Sequence, residues 1–217
     1  MRILPALLTV AVGLSLGACG TTRSLPQYER PLARTDFQQV RTTAYTDTES
    51  DHTQYGNRTA LGGILHAAPV PAVPRALPVA PQTVFRGPDT SYQPVAYVSR
   101  LQPFQMQGDF STQIYGSAAA DWSRWPAGTI FRVLSTGQLY RVEDYGWALS
   151  GRNTIDLYMA TPNEMNRWGV RQEQIQVVQW GDPQESLRRL ASHTKFRHIK
   201  RMVLELEGKH HAAANLD

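Results

Sequence analysis

The sequence predicts a mainly β fold: a small β-barrel with one short capping helix and a basic helical tail. Three observations predict it. Thr129–Leu134 and Gln138–Val142 are β-rich runs joined through Ser135-Thr136-Gly137, the pattern of a hairpin. Leu139–Glu143 and Ile155–Met159 flank a glycine-containing loop within VEDYGWALSGRNTIDLY, residues Val142 to Tyr158. Two helix starts follow, Thr161-Pro162-Asn163-Glu164 and Asp182-Pro183-Gln184-Glu185, each with a capping residue, proline at the first helical position and glutamate two residues later.

The chain of 217 residues opens on Arg2 and an apolar run from Ile3 to Leu16, too short to span a bilayer stably, followed by Leu16-Gly17-Ala18-Cys19. This matches a bacterial lipoprotein signal, with residues 1–18 removed and Cys19, the only cysteine, lipidated. Several acyl chains, each contributing about 0.8 kcal/mol per buried CH2, make such an anchor stable. Gly20 stands where an aspartate would resemble an inner-membrane retention signal, so in a cell with two membranes the outer one, facing the periplasm, is expected. With one cysteine there is no disulfide and no cysteine metal site, so a packed core must hold the domain.

Residues 19–38, polar with Pro26 and Pro31, read as a tether. Gln39–Tyr45 reads as the first barrel strand. In 47–58 the side chains of Asp47, Glu49, Asp51 and His52 lack the glycine turn and spacing of a hard-cation loop, which favours a solvated acidic loop over a metal site. From about 64 to 117 lies a stretch whose AAPVPAVPRALPVAP run favours polyproline II, as a wrapped loop or a peptide ligand, and Thr90–Val98 can add strands. Met165, Trp168 and Gly169 complete the short helix, and Gln174–Gln179 is the closing strand of a domain spanning 39–181. Residues 182–217 form a basic helix and tail, extended through Leu187, Leu190, Ile199, Met202, Val203 and Leu206.

From Ser186 to His211 seven Lys/Arg against two Glu give +5, while the whole chain carries +4, so the sequence pI of about 9.4 belongs to the tail. Wall polymers, lipid headgroups or nucleic acid could be attracted to such a tail, or it packs on the barrel with a solvated basic face. Secretion disfavours nucleic acid. His193, His198, His210 and His211 show no metal-ligand spacing and are expected at the surface.

Asp156 lies between Ile155 and Leu157, so strand alternation turns it away from both. It is either an outward polar residue, an anchor for the glycine-rich loop, or part of a site. DYGWALSGRNTIDLY resembles the signature of the 3D-domain family, named for three aspartates and shared with MltA-type lytic transglycosylases. The resemblance runs through Asp144, Gly146, Ala148, Gly151, Ile155, Asp156, Leu157 and Tyr158. Asp121, Pro126, Gly128 and Thr129 resemble the third-aspartate segment, and Thr42–Thr46 with Thr59–Gly62 resemble the opening motifs. Together these cover about residues 39–62 and 118–181, and the resemblance makes the stretch from about 64 to 117 an insertion in the barrel. The chain departs at Tyr145-Gly146-Trp147, where the family has Thr-Gly-Gly, at Ser150, where it has lysine, and at Trp122, where it has proline.

The resemblance implies a double-psi β-barrel of the RlpA/MltA-like kind and cleavage of O-glycosyl bonds in peptidoglycan glycan strands. No cofactor is implied. Asp156 would act as the catalytic acid and then base, Asp144 would tune it, and Asp121 would hold the loop or the sugar. Tyr45, Thr59, Gly151 and Trp147 would contact substrate. Carboxylates crowded in a groove raise one another's pKa, which suits an acid catalyst. A non-catalytic peptidoglycan-binding or scaffold lipoprotein is the alternative. In it Trp122, Trp125, Tyr145, Trp147 and Trp168 serve as glycan platforms, unless they are core. Oligomeric state is not readable from the sequence.

Overall fold

The computed structural model describes residues 24–49, 55–69 and 114–216. The signal segment with Cys19, most of the proline-rich insertion, Thr90–Val98, Asp51 and His52 lie outside them.

Six strands form a closed barrel in the order β1-β5-β2-β4-β3-β6. They are β1 Phe37–Tyr45, β2 Gly116–Ala120, β3 Ile130–Val133, β4 Leu139–Asp144, β5 Thr154–Tyr158 and β6 Arg171–Gln179. Closure leaves no open sheet edge. Two neighbouring pairs, β1/β5 and β2/β4, are parallel, and the other four are antiparallel. The predicted hairpin is β3–β4, turned at Gly137, whose φ is +71° and whose N–H donates to Val133 O at 2.8 Å.

Alternation fills the interior. Val40, Val142, Ile155, Leu157 and Ile175 are sealed, and Phe131 stacks on Tyr140 with ring centroids 5.8 Å apart. Each large apolar side chain so buried stabilises the fold by roughly 1.5–3 kcal/mol. Trp122, Trp125 and Trp168 belong to this core, so three of the five aromatics considered as glycan platforms are structural. Trp125 donates to Gln38 Oε1 at 2.8 Å and Trp168 to Thr42 Oγ1 at 3.2 Å.

β2 carries no strand signal. Its sequence, GSAAA, is poor in β-formers, yet every residue is buried. Small side chains are what the place requires, because a Cβ on Gly116 would lie 2.6 Å from Ala68 and 2.7 Å from Tyr140. Ser117 N–H donates to His66 O at 2.7 Å, so the chain before and after the insertion runs along the barrel wall. At the two ends of the stretch from 64 to 117, Leu65 is buried and Ser117 is a strand residue.

The helix α1, Pro162–Trp168, starts at Thr161, which accepts from Glu164 N–H, and ends at Gly169 with φ +63°. The tail differs from the single helix expected. It is broken into α2 Pro183–Leu190, a 3-10 turn at Ala191–His193, α3 Arg197–Leu206 and α4 His210–Ala214. The break lets Leu190, Ile199, Met202 and Val203 fold back into the core, with Arg201 and Glu205 buried beside them. No helix of the described residues is long and apolar enough to cross a membrane.

The segment read as a tether packs onto the barrel from Pro26 onward. Arg201 Nη1 donates to Pro26 O at 2.7 Å, and Glu29 N–H donates to Gly151 O at 2.8 Å. Glu29 also pairs with Arg41 at 3.2 Å and with Arg152 at 3.5 Å.

Candidate functional site

Four residues on adjacent strands form one row across the outside of the barrel. Thr43 on β1 is the register partner of Asp156 on β5, Asp156 of Ala119 on β2, and Ala119 of Asp144 on β4. Neighbouring strands lie about 4.8 Å apart, so the two aspartate backbones stand roughly 10 Å from each other with only a methyl group between them. A bulge makes this alignment. The register of β2 with β4 steps from Ala118–Val142 to Ala119–Asp144, passing over Glu143. Without that extra residue Glu143 would face Ala119; with it, Asp144 does. Glu143 instead accepts from Ser117 Oγ at 2.9 Å.

Asp156, Ala119 and Asp144 of this row line a groove of about 650 Å³. Asp144, Asp156, Tyr45 and Thr59 line it, with Trp147 in a 3-10 turn, Trp147–Leu149, along one side. Tyr55, Arg58 and Tyr145 extend the walls. Of the residues singled out in the sequence, Asp144, Asp156, Tyr45, Thr59 and Trp147 meet here.

Thr43 Oγ1 donates to Asp156 Oδ1 at 2.7 Å, which fixes that oxygen and the carboxylate plane. Asp144 is more enclosed: its Oδ1 accepts Tyr145 N–H at 2.8 Å, and its carbonyl accepts Trp122 Nε1–H at 2.9 Å. Trp122 also meets Tyr145 edge-on at 4.9 Å, so this core indole supports both residues. Tyr45 packs edge-on against Tyr158 at 5.6 Å. Burial first, then the charges of Asp144, Asp156 and Glu143, push the Tyr45 phenol well above its ordinary pKa. It remains a protonated hydrogen-bonding group. Thr59 is held by its turn, accepting Gly63 N–H on Oγ1 at 3.2 Å.

Asp121 and Gly151 do not line the groove. Asp121 is fully buried behind it, and its Oδ2 accepts Gly151 N–H at 2.6 Å. Gly151, at φ +75°, is covered by Arg201 and Tyr28, each within about 3 Å of where a Cβ would sit. Asp121 thus anchors the loop that carries Trp147 and leads into β5, instead of meeting ligand.

Behind that loop lies a buried charge cluster. Ser123 Oγ sits within hydrogen-bond distance of both Asp121 Oδ1 and Glu205 Oε2. A serine hydroxyl has one hydrogen to give. Two ionised carboxylates would leave lone pairs facing at one of these contacts, so this geometry favours a proton on Asp121 over the fully ionised pair. In keeping with this, burial, then the Glu205 charge, push the Asp121 carboxyl up to about 6 against the pull of Arg124, Ser123 and Gly151 N–H. Arg124 lies 4.0 Å from Asp121 Oδ2 and 3.5 Å from Glu205 Oε1, and it donates to Asn153 Oδ1 at 2.7 Å. The cluster ties the loop, α3 and the chain before β1 into one unit.

The sequence reading missed Thr43, Ser123, Glu205 and His198. Thr43 was legible from strand alternation once a partner strand was assumed. His198, expected at the surface, is half-buried and lines the groove from α3, 42 residues after Asp156 in the chain. No local spacing signals that approach. Among the described residues no group of three or more His, Cys, Asp or Glu is arranged to hold a metal ion. No protein-family model matches this chain, and no curated protein matches it.

Proposed function

We propose that this chain is a peptidoglycan-active enzyme of the cell envelope that cleaves glycosidic bonds in the manner of a lytic transglycosylase. The observation that carries the reading is the row Thr43–Asp156–Ala119–Asp144, in which two aspartates flanking an alanine line an open groove. In this reading the barrel is a double-psi barrel, supported by its two parallel strand pairs. The protein is held to the outer membrane through lipid on Cys19, and glycan strands are its partner.

Asp156 is the acid and then the base. Thr43 donates to Oδ1, which holds the carboxyl in place as it gives up and regains its proton. That proton passes to the oxygen of the breaking MurNAc–GlcNAc bond as positive charge develops at C1. The C6 hydroxyl of the same muramoyl residue then attacks C1 and returns its proton to Asp156, giving a 1,6-anhydro product. The intramolecular nucleophile replaces a positioned water. Asp144, held by Tyr145 N–H, supplies negative charge near the developing cation, and Tyr45 donates a hydrogen bond. General acid catalysis of this kind contributes roughly 10²–10⁴-fold.

Incubating the protein with purified sacculi and analysing the products by mass spectrometry tests this. Anhydro-muropeptides are expected, and Asp156→Asn should remove them. Cleavage that survives Asp156→Asn eliminates the mechanism. A second reading, a non-catalytic wall-binding lipoprotein, draws on the burial of Asp121 outside the groove and on the aromatic walls Tyr45, Tyr55, Tyr145 and Trp147. Sedimentation with sacculi without any product would favour it.

A further inference from the structure

The groove is not built by the barrel alone. α3 docks beside it, and the docking is specific: Ser150 Oγ, on the loop that carries Trp147, donates to His198 O at 3.0 Å. That contact fixes the first turn of α3 against the groove wall. His198 is the α3 residue that lines the groove with Asp144 and Asp156. Its ring is tilted against Tyr145 at 6.2 Å on one side and against Phe196 at 6.0 Å on the other. Among the described residues neither ring nitrogen has a hydrogen-bond partner, although the residue is more than half enclosed. An imidazole placed only to pack would bury carbon and direct its nitrogens to a fixed partner or to bulk water. Here the residue borders the same groove as the aspartates.

We propose that His198 is a substrate-contacting residue of the groove, hydrogen-bonding a hydroxyl or acetamido group of an N-acetylated hexosamine chain, with Phe196 extending the aromatic wall outward. This rests on the glycan reading given above and adds to it a subsite contributed by the C-terminal helices. Burial lowers the pKa of His198, which keeps the imidazole neutral near pH 7 and able both to donate and to accept. Such a group suits a sugar hydroxyl, which also does both. Phe196 is 47 % exposed, a large apolar ring left in solvent beside His198, with Lys195 Nζ 5.0 Å above it. A pyranose face laid on that ring would continue the line Trp122–Tyr145–His198–Phe196.

The test compares the full protein with His198→Ala, His198→Gln and Phe196→Ala. Two quantities are read: the Kd for a tetramer of N-acetylglucosamine, and kcat and KM on soluble uncrosslinked glycan strands. His198→Ala should raise Kd and KM about tenfold, the size of one lost hydrogen bond, with kcat within about twofold. His198→Gln, which can also donate and accept, should recover most of the loss. Phe196→Ala, at an exposed position that cannot unfold the domain, should weaken binding about threefold. A residue that merely packs the loop would move kcat and thermal stability together and leave Kd alone. Unchanged Kd and KM in His198→Ala beside an active wild type overturn this inference and leave the glycan reading standing. A wild type that neither binds the tetramer nor cleaves strands overturns both.

Discussion

The buried proton behind the loop makes stability fall as pH rises, the reverse of the usual behaviour of a paired carboxylate. Asp121 has a folded pKa of about 6 against 3.8 when exposed, so between these values the folded chain binds more protons than the unfolded one. Stability then declines with pH across that window and levels off above it. About two pH units at about 1.4 kcal/mol each make the loss roughly 3 kcal/mol. Its cause is local: once Asp121 ionises, its charge is repelled by the Glu205 charge across Ser123, and Arg124 at 4.0 and 3.5 Å compensates only in part. Arg201 also faces the cluster but stays protonated throughout, and Tyr28, pushed up to about 12, does not titrate in the window. Glu29 works in the opposite sense. Despite the cost of burial, Asn153 N–H and Arg41 hold its carboxyl low, so it adds stability that is lost on acidification. The measurement must therefore be a difference. Urea unfolding of wild type and Asp121→Asn, followed by tryptophan fluorescence at intervals from pH 4 to 8, isolates the Asp121 contribution. The advantage of wild type over the variant should shrink by about 2.4 kcal/mol between pH 4 and 7. Glu205→Gln, which removes the repelling charge from the other side of Ser123, should flatten the same decline. A difference that stays constant within about 0.5 kcal/mol, or grows with pH, refutes the shared proton.

Two further outcomes test the frame of the site. Gly151→Ala places a Cβ 3.0 Å from Arg201 at φ +75°, strained in both space and backbone, so a loss of about 1–3 kcal/mol in thermal or urea unfolding is expected. Thr43→Val keeps shape but removes the hydrogen bond to Asp156; activity on glycan strands should fall about tenfold while the melting temperature changes little.

The barrel was legible in the sequence where local chemistry and tertiary structure agree. Gln39–Tyr45 lies in β1, the β3–β4 hairpin forms around Gly137, and Thr161 and Asp182 cap the helices they were expected to cap. Alternation also placed Asp156 correctly, outward between two sealed neighbours. β2 was not legible, because Gly116 is held to a hydrogen by crowding against Tyr140 and Ala119 fills the space between two aspartates, neither of which strand propensity signals. The position of Asp144 depends on a bulge, and a register shift of one residue leaves no mark in composition. The tail misled for a related reason. Its apolar spacing is continuous enough to read as one helix, while the break at Ala191–His193 serves a tertiary need, returning α3 to the barrel.

If the chain is read on the three-aspartate pattern of the proposed function, that return also gives physical sense to the places where it departs from that pattern. At 150 a serine stands in place of a lysine, fully buried, with its hydroxyl bonded to the α3 backbone at His198; a lysine there would have to bury its ammonium under the same helix. At 122 a tryptophan stands in place of a proline, and its indole N–H holds the carbonyl of Asp144, which a proline could not do. At 145 a tyrosine takes the contact face of that indole and passes it to His198. The three departures lie on one path from the core, past Asp144, to α3. They are explained together if the C-terminal helices and the loop around Trp147 form a single wall of the groove, and in that arrangement the basic tail is part of the site.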